Sequence, residues 1–227
     1  MRNRIALKIR TSLFFLTAML LTGCSTKVIH EPEKIKEESA KQELNVIDYF
    51  LPLQNSEIRT ETPTHVVLHF ISNVGNNAQD PYNLQDVYSI FLEYGVSSHY
   101  VIGRSGEIYQ LVPEERVAYH AGLGVLPYFT KYRNNMNQYS IGIEMLAIGT
   151  KEEMASMMKE DLYDSINPSL IGYTDAQYKS LNSLLDDITD RNPSIQRNRK
   201  YIVGHDEYAP GRKTDPGSLF DWSKIGF

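Results

Sequence analysis

The chain has 227 residues, 22% of them charged, and a formal net charge of −5. An acidic chain without a basic patch argues against a nucleic-acid partner, which needs clustered Lys and Arg facing phosphates. A single cysteine excludes an intrachain disulfide and a Cys-rich metal site.

Residues 1–23 begin with Arg2, Arg4, Lys8 and Arg10, followed by an apolar stretch over 12–21 too short for a membrane span. It ends in L-T-G-C, with Cys24 the lone cysteine. The pattern resembles a bacterial lipoprotein signal, in which the cysteine is acylated and becomes the first residue. The plainer alternative is an ordinary signal peptide, or an uncleaved anchor, with an incidental cysteine. Several acyl chains would hold the protein firmly at a membrane where one would not. Losing residues 1–23 removes basic residues only, so the rest is more acidic than the whole. Residues 24–45 are rich in Lys and Glu and read as a solvated linker, which would reach roughly 70 Å if fully extended. Residues 46–227 are enough for one domain with its own core.

Within that domain, residues 64–71 alternate with β-branched residues and predict a strand. Asn83 caps a predicted helix through Tyr94, and Gly95 ends it. Residues 98–102 and 107–112 are two strands joined by G-R-S-G, a hairpin signal. Residues 139–148 are apolar on both alternations, as in a buried central strand. Met154, Met157, Met158 and Leu162 share helical spacing. The plain reading is a surface helix docking its Met face, and the sharper one is a flap. Thr174 and Gln177 form a capping box for a helix through Asp190, with Leu181, Leu184, Leu185 and Ile188 on one face. A short strand over 201–204 leads into His205. Irregular alternation of strands and helices predicts a single α/β domain with a central mixed sheet flanked by helices.

Three segments carry chemistry. V-G-H-D-E-Y-A-P-G-R-K-T-D-P-G, residues 203–217, holds His205, Lys213 and Asp215, and its Gly and Pro residues let the backbone bring them together. His69 lies in T-H-V-V-L-H-F, and Glu144 in S-I-G-I-E. A catalytic zinc takes three protein ligands and keeps a fourth position open. A lone strand histidine is usually structural, and Lys213 paired with Asp215 on the surface is the plain alternative for that lysine. Glu144 in so apolar a run is costly to bury without a task.

Together with S-S-H-Y-V-I (97–102), A-Y-H-A-G (118–122) and N-Q-Y-S-I-G-I-E (137–144), these blocks resemble the type 2 N-acetylmuramoyl-L-alanine amidases. That zinc-enzyme family is related to the peptidoglycan recognition proteins. The resemblance covers roughly residues 64–222. It implies cleavage of the amide between N-acetylmuramic acid and L-alanine in peptidoglycan or muropeptides, by a monomer with zinc at one edge of a surface groove. It implies zinc ligands His69, His205 and Asp215, Glu144 as proton acceptor for the attacking water, and Lys213 facing the developing oxyanion. His120, Asn137 and Arg104 match positions near the substrate, with His120 touching glycan, peptide or the tetrahedral intermediate. His65 is expected to be a neighbour of the site and His99 a support of the fold. Ser98 stands where some relatives carry a catalytic tyrosine, so the proton work falls to Glu144. The stretch 150–177 resembles Gram-positive members, which places a lipid anchor on the outer face of the cytoplasmic membrane. The competing readings are a non-catalytic peptidoglycan-binding module anchored to the membrane and a structural lipoprotein. The complete ligand set with Glu144 and Lys213 speaks for catalysis.

Overall fold

The computed structural model describes residues 44–227. The signal over 1–23, Cys24 and most of the 24–45 linker lie outside the described residues. In chain order come β1 (Val46–Asp48), β2 (Ser56–Ile58), β3 (His65–Ile71) and α1 (Leu84–Tyr94). Next are β4 (Tyr100–Ile102), β5 (Ile108–Gln110), β6 (Arg116–Ala118), α2 (Met136–Tyr139) and β7 (Ser140–Leu146). The rest of the chain supplies α3 (Lys151–Met154), α4 (Glu160–Asp164), α5 (Asp175–Arg191), β8 (Ile202–Gly204) and α6 (His205–Tyr208).

A mixed six-stranded sheet runs β1-β5-β4-β7-β3-β8, with every neighbouring pair parallel except β4–β5. The β4–β5 pair is the hairpin that G-R-S-G signals. β2 and β6 form a separate antiparallel pair. The central strands β3 and β7 are covered on both faces, which is why they are apolar on both alternations.

One cover is α5. Thr174 Oγ1 accepts the Gln177 N–H, and Gln177 Oε1 accepts the Thr174 N–H, completing the capping box. Leu181, Leu184, Leu185 and Ile188 pack on Val66, Leu68, Ile141, Ile143 and Met145. Each such fully buried aliphatic side chain contributes about 1.5–3 kcal/mol, so the stripe outweighs the cap, worth about 1 kcal/mol. The other cover includes α1, capped by Asn83 and ended by Gly95 at φ 62°, whose Val87 and Phe91 pack with Val101. Alternation then sorts the chemistry. On β3, Val66 and Leu68 face α5, so Val67 and His69 face away. On β7, Ile141 and Ile143 face α5, so Gly142 and Glu144 face away. The parallel register sets His69 beside Glu144. β8 lies next to β3 and delivers His205 at its carboxyl end, the end at which open α/β sheets hold ligands.

The expected Met-faced helix is two short helices, α3 and α4, instead of one. Met154 and Met158 do dock, on Phe70, Val74 and Ile148. Met157 is exposed and lines a cleft.

Candidate active site

His69, His205 and Asp215 converge at the carboxyl ends of β3 and β8. His69 and His205 are each 2% exposed and Asp215 is 8% exposed. Asp215 Oδ2 lies 2.7 Å from His69 Nδ1 and 3.0 Å from His205 Nδ1, and the two Nδ1 atoms are 3.0 Å apart. A backbone bond from Asp206 N–H to Asp215 O ties together the segments that carry His205 and Asp215. His205 Nε2 lies 2.8 Å from Ala121 O. A carbonyl only accepts, so Nε2 carries the proton and Nδ1 keeps a bare lone pair. Burial would raise the Asp215 carboxyl, but the close approach of His205 and then His69 outweighs it and holds the group well below the usual carboxylate range. Burial and then the neighbouring His205 lower His69 to about 4, against the pull of Asp215. Neutral imidazoles and an ionised carboxylate are the states a metal requires.

The donor set fits a divalent metal. Tetrahedral ligands about 2.0–2.1 Å from zinc stand roughly 3.3 Å from one another, so only a slight opening of these separations admits the ion. Converging lone pairs repel unless a cation or shared proton lies between them. Among the described residues this is the one group of three His, Cys, Asp or Glu side chains arranged for a metal. With three protein ligands, a fourth position remains toward a cleft of about 590 Å³.

Glu144 and Lys213 line the same cleft. Glu144 is 8% exposed, and its Oε2 has no hydrogen-bond partner among the described residues. Burial, then repulsion from Asp215, push its carboxyl well above the usual range, while Lys213 pulls it back. That makes it a stronger proton acceptor than a surface carboxylate. The Lys213 ammonium makes no ion pair or hydrogen bond among the described residues. Asp215 engages the two histidines instead, so the surface pair Lys213–Asp215 is absent.

The remaining expectations divide. His120 lines the cleft, with Nδ1 3.0 Å from His69 Nε2 and Nε2 3.2 Å from Ser140 Oγ. Asn137 works behind it: its Oδ1 accepts the N–H groups of His120 and Ala121. Arg104 does not line the cleft. Its guanidinium donates to Leu146 O, Gly172 O and Gln177 Oε1 and stacks over Tyr82, pinning the end of the 150–172 segment to the sheet. His65 is fully buried among Phe129, Tyr132 and Tyr201 and touches no ligand. His99 supports the fold, accepting the Gly142 N–H on Nδ1. Ser98 is buried away from the cleft, which Ser97 and Tyr119 line instead.

Two contributors escaped the sequence reading. Arg212 donates to Ala121 O and Leu123 O, clamping the loop that holds His205. Glu153 caps α3 by accepting the Thr150 N–H, and its other oxygen accepts the Ser218 N–H, tying α3 to the segment that follows Asp215. The only signal for Arg212 was its place beside Lys213. For Glu153 the signal is the T-x-x-E spacing from Thr150, a capping-box pattern.

The family model for N-acetylmuramoyl-L-alanine amidase matches residues 59–218. The 1,6-anhydro-N-acetylmuramyl-L-alanine amidase AmpD of Escherichia coli strain K12 is 32% identical over 176 residues, covering 73% of this chain and 81% of that protein. A crystal structure of a Se-Met AmpD derivative superposes with a TM-score of 0.55 at 29% identity, covering 78% of this chain and 92% of the other. A complex of the N-acetylmuramyl-L-alanine amidase AmiD from E. coli with anhydro-N-acetylmuramic acid-L-Ala-D-gamma-Glu-L-Lys gives a TM-score of 0.52 at 26% identity. It covers 74% of this chain and 59% of that one.

Proposed function

The chain belongs to the N-acetylmuramoyl-L-alanine amidase family, and on that premise we propose how its own residues perform the reaction. It hydrolyses the amide bond between N-acetylmuramic acid and L-alanine in peptidoglycan or muropeptides. The observation that carries the mechanism is the convergence of His69, His205 and Asp215 beside a Glu144 oxygen and a Lys213 ammonium that have no partner among the described residues.

The residues that would hold the metal, which we take to be zinc, are His69, His205 and Asp215, through Nδ1, Nδ1 and Oδ2. When bound, zinc supplies Lewis acidity that polarises the amide carbonyl and acidifies water. Glu144 accepts a proton from the water that adds to the carbonyl carbon. The Lys213 ammonium faces the carbonyl oxygen as negative charge builds there. The C–N bond then breaks, and the Glu144 carboxyl returns its proton to the departing amine of L-alanine. The products are the lactyl carboxylate of the muramic acid and a peptide with a free L-alanine amino group. A binding module has no use for this combination.

Metal analysis tests the ligand set. Removing one of three ligands collapses affinity, so purified His205→Ala should hold far less than one zinc per chain. Full zinc occupancy in that variant would remove His205 from the set.

We also propose that Cys24 carries the lipid and holds the enzyme on the outer face of the cytoplasmic membrane. The support is the basic start, the short apolar run and L-T-G-C. Cys24→Ala should yield an unprocessed or released form. Unchanged membrane partitioning with an unchanged N-terminal peptide mass would contradict the anchor.

A further inference from the structure

We propose that His120, held by Ser140, is a positioning residue that fixes the tautomer of His69 and so turns its Nδ1 lone pair toward the metal; this rests on the metal-site reading above. The direction of the hydrogen bonds is forced from the far end. Ser140 Oγ lies 2.7 Å from Met136 O. A carbonyl only accepts, so the single hydroxyl proton points there. His120 Nε2 lies 3.2 Å from the same hydroxyl, whose proton is already used, so Nε2 must carry a proton and donate. His120 is then left with a bare Nδ1, 3.0 Å from His69 Nε2. A bare nitrogen accepts, so His69 carries its proton on Nε2. Its remaining lone pair sits on Nδ1, the atom facing Asp215 and His205. His205 reaches the same state through one bond to Ala121 O.

The opposite assignment would let His69 Nδ1 donate to Asp215 Oδ2, 2.7 Å away, but it fails at the far end. A neutral His69 protonated on Nδ1 needs a proton from His120 Nδ1. That leaves His120 Nε2 bare, facing a hydroxyl whose proton belongs to Met136 O. The His69–His120–Ser140 chain is satisfied in one direction only, and that direction leaves the 2.7 Å contact of His69 Nδ1 with Asp215 Oδ2 to be bridged by a cation. A ligating histidine commonly donates its other N–H to a fixed acceptor, and such partners set metal affinity. Here the acceptor is another imidazole.

The surroundings serve this arrangement. The His120 ring meets His69 edge-on, with centroids 5.1 Å apart and an interplanar angle of 85°. A Cβ at Gly142 would stand 2.6 Å from His120 Cγ, so only glycine leaves room for the ring at that height. Asn137 holds the His120 backbone from behind. Both ring nitrogens of His120 are spent inside the protein, so neither is free to grip glycan or peptide.

The test reads the metal-free protein and its zinc affinity instead of turnover. Proton–nitrogen correlation spectra of histidine-labelled protein report which ring nitrogen of His69 carries the proton, with the signal assigned by its loss in His69→Asn. In the wild type it should be Nε2. In His120→Phe and in Ser140→Ala the Nδ1–H form, donating to Asp215, should appear. Zinc affinity by chelator competition should fall about 10–100-fold in His120→Phe. His120→Asn, whose Oδ1 again accepts the His69 Nε2–H, should recover most of the loss. Ser140→Ala leaves both imidazoles in place and carries the test if His120→Phe does not fold. A wild-type His69 protonated on Nδ1, or unchanged tautomer and affinity in both variants, would overturn the proposal. His205→Ala separates the two levels. Zinc lost there but kept in His120→Phe sinks only the positioning role, whereas zinc kept in His205→Ala sinks the metal site and this proposal with it.

Discussion

Glu144 pairs with His69 in the β3–β7 register, so its carboxylate approaches the site from the sheet and not from the ligand loop. Removing its charge therefore need not disturb the metal. Glu144→Gln keeps the shape of the side chain, and it should retain zinc while losing roughly two to four powers of ten in rate. Lys213→Ala should cost roughly a hundredfold or more, since an unpaired ammonium in the cleft acts mainly on charge that develops in the transition state. Both rates are read as release of peptides with a free L-alanine amine under saturating zinc. A near-wild-type Glu144→Gln would move the proton work elsewhere. The cluster of His69, His205 and Asp215 and the nearness of Glu144 were legible because each sits in a motif whose residue types have few other uses. The His120–Ser140 contact was not legible. It joins a loop to the first residue of β7, and what makes room for it is the missing side chain of Gly142.

Elements with strong local signals appear where the sequence puts them. The helix α1 has its Asn83 cap and Gly95 stop, and α5 has its reciprocal Thr174–Gln177 bonds. Gln177 also does what no local pattern announces: its amide donates to Ile102 O and Leu146 O, fastening the head of α5 to the ends of β4 and β7. The strands β1, β2 and β6, three residues each, are too short to show an alternation and have no neighbouring signal, whereas the equally short β4, β5 and β8 are marked by the G-R-S-G turn and the run into His205. The stretch from α3 to α4 misled in another way. Methionines at helical spacing suggest one face, yet the chain leaves helical geometry after Met154, and Met157 turns to the cleft while Met154 and Met158 turn to the core. Glu153 explains why this stretch stays against the site, since one carboxylate serves both the helix cap and the segment after Asp215.

At the scale of the whole molecule, two buried histidines outside the ligand set make stability depend on acid. Burial lowers His65 to about 4, and burial with the Arg59 charge lowers His99 to about 3. Unfolded histidine titrates near 6.5, so below that pH the unfolded chain binds protons that the folded chain refuses. Stability is then fully present above pH 6.5 and falls as the pH drops toward 4, by on the order of 3 kcal/mol or more for each histidine. Urea unfolding should show this decline between pH 7 and 5, and His65→Gln should remove about half of it, the share of His99 remaining; equal stability at both pH values in the wild type would contradict it. The reaction itself is tested most directly by digesting purified peptidoglycan with the zinc-loaded and the chelator-stripped enzyme and weighing the new ends. Peptides with free L-alanine amino groups and glycan strands bearing free lactyl carboxylates, from the zinc-loaded enzyme alone, are the predicted result. New ends at any other bond, or equal release by the stripped enzyme, would contradict a metal-dependent amidase.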